Sequence, residues 1–96
     1  MIVRFWEARV ASDRLDDAVA WVRATLLARA ILQDGYDSHE LFVADETAAD
    51  ADTGVGEQPA RVVLLTRWTR EPATLDESLP DDGSIARAHG WFFRDV

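Results

Sequence analysis

Apolar positions fall into runs whose spacing changes along the chain, and each spacing predicts a different element. Ile2, Arg4, Trp6, Ala8 and Val10 have one parity; Val3, Phe5, Glu7 and Arg9 have the other. Successive side chains of a strand point to opposite faces, so both faces of such a strand carry large apolar groups. A strand buried on both sides over its first half is expected. Over residues 14–32 the period becomes helical, with Leu15, Ala18, Val19, Val22, Leu26 and Ala30 on one stripe. Ser12 or Asp13 is placed to cap that helix, Asp16 and Asp17 suit its positive end, and Gly35 marks its stop. Ala20, Ala24, Leu27 and Ile31 make a second stripe, with Trp21 and Leu32 between the two. A helix so patterned touches more than its own sheet: a loop or the C-terminal segment packs over it, or another subunit does.

Residues 35–43 predict a second strand, weakest at its start. Residues 44–60, rich in Ala, Asp, Thr and Gly, predict a long, acidic, mobile hairpin loop. The run Arg61-Val62-Val63-Leu64-Leu65-Thr66-Arg67-Trp68 predicts a buried third strand over residues 61–69. Pro72 stops it and suits the first turn of a short helix over residues 72–79. Pro80-Asp81-Asp82-Gly83 is a turn. Residues 85–89 lead into a fourth strand over residues 90–96. The order βαββαβ predicts a single α+β domain of ferredoxin-like arrangement, an antiparallel sheet with helices on one face.

Composition narrows the partners. Of 96 residues, 48% are hydrophobic and four are Trp. A domain this small buries only about 60–65% of its unfolded surface, so the apolar excess predicts a homodimer. The formal net charge is -8, which opposes nucleic acid and anionic membranes, since phosphate binding needs clustered basic residues. Of the 18 acids, five lie between Asp45 and Glu57 and four between Asp76 and Asp82, while the basic residues are all Arg. The remainder is nearly neutral, so the acidity speaks for solubility rather than cation binding. There is no Cys, which excludes disulfides and thiolate chemistry. With no signal-peptide pattern at the start and no apolar stretch of membrane-spanning length, a cytoplasmic protein is expected.

Three features carry a resemblance to a known family: Gly35-Tyr36 opening the second strand with Leu41 beyond it, Thr66-Arg67-Trp68-Thr69 closing the third, and a first strand of mixed character starting within two residues of the N-terminus. With the order of elements, they make the chain resemble the dimeric α/β barrel superfamily, within it the antibiotic biosynthesis monooxygenase-like proteins. The resemblance implies two protomers packing their sheets into a shared barrel, each keeping a pocket between sheet and helices. It also implies cofactor-independent oxygenation of an aromatic compound, with Trp68 at the pocket wall. Haem-degrading members use an Asn on the first strand and a His on the second helix. This chain has no Asn, and its predicted second helix has no His, so any oxygenase chemistry here rests on other residues.

Candidate chemistry is sparse. Trp6 and Trp68 share a sheet face in a suitable register, where two indoles either stack on a planar ligand or simply fill the core; Tyr36 joins them as a third aromatic wall. His39 and His89 are the only histidines, and either is a candidate general base because imidazole titrates near neutrality; His89, near Arg87, is favoured. Arg4 lies inside an apolar run, where a charge is costly unless paired. It is either an ion-paired edge residue, with Glu40 as one possible partner, or an anchor for a carboxylate or phenolate. With no Cys and no paired His, no metal site is expected, and no calcium-loop or phosphate-cradle pattern occurs. The readings are a cofactor-free monooxygenase-like enzyme for a small aromatic substrate, a non-catalytic dimeric binding or assembly module, and a haem binder.

Overall fold

The computed structural model describes residues 1–47, 52, 54, 56, 58–73 and 75–96. Four strands, β1 (Ile2–Val10), β2 (Tyr36–Ala44), β3 (Ala60–Trp68) and β4 (Ile85–Arg94), form one antiparallel sheet in the order β2-β3-β1-β4. That order is compatible with a ferredoxin-like fold. The acidic loop predicted over residues 44–60 lies largely outside the described residues; at its base Thr47 and Gln58 exchange backbone hydrogen bonds of 2.9 Å.

One helical rod covers one face of the sheet. A 3-10 turn, Ser12–Arg14, leads into α1 (Leu15–Trp21), then a π-helical stretch, Val22–Leu27, then α2 (Ala28–Ile31). The expected side-chain cap is not formed: Ala11 stands at the start, and its carbonyl accepts from the Arg14 amide at 2.8 Å. Ala18, Val22, Leu26 and Ala30 are buried as the main stripe requires. The wider i→i+5 winding of the π stretch turns Leu27 inward beside Leu26, while Ile31 of the second stripe and the neighbouring Leu32 remain exposed. Facing the rod are Trp6, Ala8 and Val10 of β1 and Ala60, Val62, Leu64 and Trp68 of β3.

The short helix expected over residues 72–79 is absent among the described residues; this stretch is an irregular strap from β3 to β4. Local chemistry explains the difference. The Asp76 carboxylate accepts from the Ser78 amide (3.1 Å) and hydroxyl (2.7 Å), a turn that competes with helical bonding. Pro80 biases residue 79 away from helix, and eight residues are too few to propagate one unaided. At the end of the strap Asp82 makes the same turn, accepting from the Ser84 amide (2.9 Å) and hydroxyl (2.6 Å), and Gly83 takes φ +80°.

The helix ends on a close approach. Gly35 has φ +89°, and its carbonyl accepts from the Thr69 amide at 2.7 Å. A Cβ built there would lie 2.7 Å from Arg70 Cγ and 3.1 Å from the Arg70 carbonyl oxygen. Only glycine suits both the backbone and the space.

Candidate functional site

The β1/β3 register pairs Ile2 with Trp68 and Trp6 with Leu64. This brings Trp6 and Trp68 onto the helix-facing side, where both border a cavity of about 410 Å³ between sheet, rod and strap. Leu26 from the π stretch, Leu64 from β3 and Leu75 from the strap supply further apolar wall. Trp68 is fully buried, and its indole N–H donates to the Thr66 hydroxyl at 2.8 Å. That bond satisfies a polar group which would otherwise be costly in the core, and it leaves the Thr66 O–H as a donor at the cavity wall. The Trp21 ring lies 6.3 Å from that of Trp6, and the Tyr36 ring meets Trp68 edge-on at 5.9 Å.

The polar end of the cavity is built around Arg4. The chain passes it from β1 across β4, where the guanidinium carbon lies 4.5 Å from the centre of the Phe92 ring. Gly90 clears the way: a Cβ there would stand 2.6 Å from Arg4 Nη2. On the strap side Arg4 donates from Nε to Glu77 Oε2 at 3.1 Å and from Nη2 to Oε1. Thus Glu77, rather than Glu40, is its partner; Glu40 instead accepts from Arg67 at 3.0 Å on the opposite face of the sheet. A second pair, Arg29 with Asp76 at 3.3 Å, closes the same border. Hydrogen bonds from the Ser78 hydroxyl and amide, with Arg29 nearby, hold the Asp76 carboxyl below the usual carboxylate range.

The histidines lie elsewhere. His39, exposed on β2, shares a hydrogen bond of 2.7 Å with the Tyr36 hydroxyl. Burial, with help from the Asp37 charge, raises the Tyr36 phenol above its ordinary value. His89 on β4 is paired with Glu7 across the strands and touches Trp91 edge-on at 4.5 Å, on the face turned away from the rod. Of the residues singled out from sequence, Trp6, Trp68 and Arg4 border the cavity; Tyr36, His39 and His89 do not. Sequence reasoning missed Glu77, Asp76, Arg29 and Thr66. For Thr66 a signal existed, since it has the parity of Trp68 two residues on. Glu77 carried none, because an irregular strap has no period from which to read direction.

No cluster of His, Cys, Asp and Glu suited to a metal ion occurs among the described residues. No described helix is long and apolar enough to cross a membrane. In comparisons with known proteins, no family model, curated protein or solved structure matches the chain.

Proposed function

We propose that the protein is a dimeric α/β barrel domain of the antibiotic biosynthesis monooxygenase-like type, taking a small aromatic substrate between sheet and rod and oxidising it without a cofactor. The seat of Trp68 carries this reading. Its indole walls a cavity with its N–H already satisfied, at the strand position the resemblance assigns to a pocket wall. Large apolar walls with a few convergent polar groups are what a small-molecule site requires. The strand order supports the same assignment. In such chemistry the substrate supplies the electrons to oxygen, while the protein excludes water and fixes orientation. A general base must reach the substrate; Glu77 is committed to Arg4, which leaves the Asp76 carboxylate nearer the cavity than His39 or His89.

Two measurements test the reading. Quenching of tryptophan fluorescence by an anthrone or a naphthoquinol should saturate, and an oxygen electrode should record protein-dependent uptake with the same compound. Saturable quenching without uptake supports the alternative, a non-catalytic dimeric ligand-binding module, which the position of both histidines outside the cavity favours. A haem binder needs an axial ligand. The described cavity walls hold no His, Tyr, Cys or Met, and a haem titration followed by absorbance should stay flat.

The dimer rests on the uncovered side of the sheet. Val3, Phe5, Val63, Leu65, Trp91 and Phe93 share that side by register. Trp91 and Phe93 remain 46% and 53% exposed, and a second copy of the sheet would cover them.

A further inference from the structure

We propose that the ligand of the cavity is an aromatic carboxylate, and that Glu77 occupies the place of its carboxylate on Arg4 until the ligand arrives. This rests on the reading of the cavity as a small-molecule site. The Arg4 guanidinium meets Glu77 with two of its donors in the fork geometry by which arginine recognises carboxylates. The two side chains are only 13% and 24% exposed, so the pair sits at the cavity border rather than out in solvent.

The seat of Arg4 does not depend on Glu77. The rigid sheet builds it, through the Phe92 ring on one side and the space left by Gly90 on the other. Glu77, in contrast, arrives on the strap. Among the described residues, the backbone of residues 70–83 forms no hydrogen bond with another backbone group. Arginines of the body hold the strap instead. Arg14 donates to the Asp82 carbonyl at 2.8 Å, Arg29 to the Asp76 carbonyl at 3.1 Å, and Arg4 to Glu77. A segment held by side chains alone opens at lower cost than one held in a ladder. A fixed guanidinium capped by a releasable carboxylate, next to two indoles, matches a planar ring bearing one carboxylate. The rings take the indole walls, the carboxylate takes the Arg4 fork, and Glu77 swings out with the strap.

The test uses 2-naphthoate and its methyl ester, which share a ring system and differ in charge. Binding is read by tryptophan quenching with the full chain, and folding of each variant by circular dichroism. The wild type should prefer the acid. Glu77→Gln removes the internal competitor and should tighten naphthoate by about tenfold or more, the effect of one charge-assisted hydrogen-bonded pair, while leaving the ester unchanged. Arg4→Gln should abolish the preference for the acid. Should that variant fold poorly, Arg4→Lys keeps the charge but loses the fork and should still reduce the preference. Equal binding of acid and ester by wild type and Glu77→Gln would overturn the carboxylate assignment and leave the aromatic site standing. Binding of neither compound by any variant overturns both.

Discussion

At the scale of single residues, the indole of Trp68 and the hydroxyl of Thr66 act as one unit. The 2.8 Å bond between them lets the largest side chain of β3 be fully buried without an unsatisfied donor. Thr66→Val keeps the shape and removes the acceptor. It should cost about 1–3 kcal/mol, the penalty of an orphaned buried donor, read as a lower denaturant midpoint. Trp68→Phe separates packing from recognition. It leaves no indole N–H to satisfy and keeps much of the apolar volume, so stability should fall only mildly while affinity for a planar aromatic falls clearly. Unchanged affinity would remove Trp68 from the site. Gly35 is a different kind of residue, needed for its backbone. With φ +89° and Arg70 against it, Gly35→Ala should cost at least about 1 kcal/mol by thermal melting. The pairing of Trp6 with Trp68 on one face was legible from parity once a register was assumed. The partner of Arg4 was not, because it lies 73 positions away on a segment without regular structure.

At the scale of elements, strong periodicity translated well and weak periodicity did not. Strand β3 and the centre of the main helical stripe bury the residues their patterns marked, because burial on a fixed geometry is what a period encodes. Strand β1 buries Trp6, Ala8 and Val10 on the rod side only. Its first half, expected to be buried on both faces, is half-exposed because nothing in the single chain covers Val3 and Phe5. The π stretch was invisible, because no residue type announces it. The second helix failed because two Asp–Ser turns and Pro80 outweigh Leu75 and Leu79 as helical anchors. Those turns make the strap sensitive to acid. Hydrogen bonds from the Ser84 hydroxyl and amide hold the Asp82 carboxyl below its ordinary range, as those from Ser78 do at Asp76. A carboxyl whose folded value is depressed contributes stability that is fully present above the unfolded value of about 3.9. That contribution is lost as pH falls through the folded value. The denaturant midpoint should therefore drop on acidification below about pH 4, and Asp82→Asn should flatten part of that drop. An unchanged acid limb in Asp82→Asn would show that this turn does not stabilise the folded strap.

At the scale of the whole molecule, the two faces of the sheet pose different problems. The rod and strap cover one face and enclose the cavity. On the other, the register sets Leu65, Phe5 and Trp91 abreast, with Val3 and Phe93 in the next row. Charged groups are confined to its margins. Glu40 pairs with Arg67 at one corner, and Arg61, Arg9 and Arg87 line up across one end with Glu7 beside them. A charge of -8 per chain opposes association, yet Asp76 and Glu77 at the cavity border and Asp82, paired with Arg14 of the rod, lie on the far side of the sheet. The apolar centre is thus free to meet a second copy without bringing those acids together. Light scattering at micromolar concentration should give twice the chain mass of 10.7 kDa. Phe93→Glu replaces a ring that packs edge-on against Phe5 at 5.6 Å and is 53% exposed. It should give monomers that retain most of their fold, since the change puts charge on a surface already open to water in one chain. A monomeric wild type would remove the proposed barrel. A dimer unaffected by Phe93→Glu would place the interface elsewhere, with the exposed Ile31 and Leu32 at the end of the rod as the next surface to mutate.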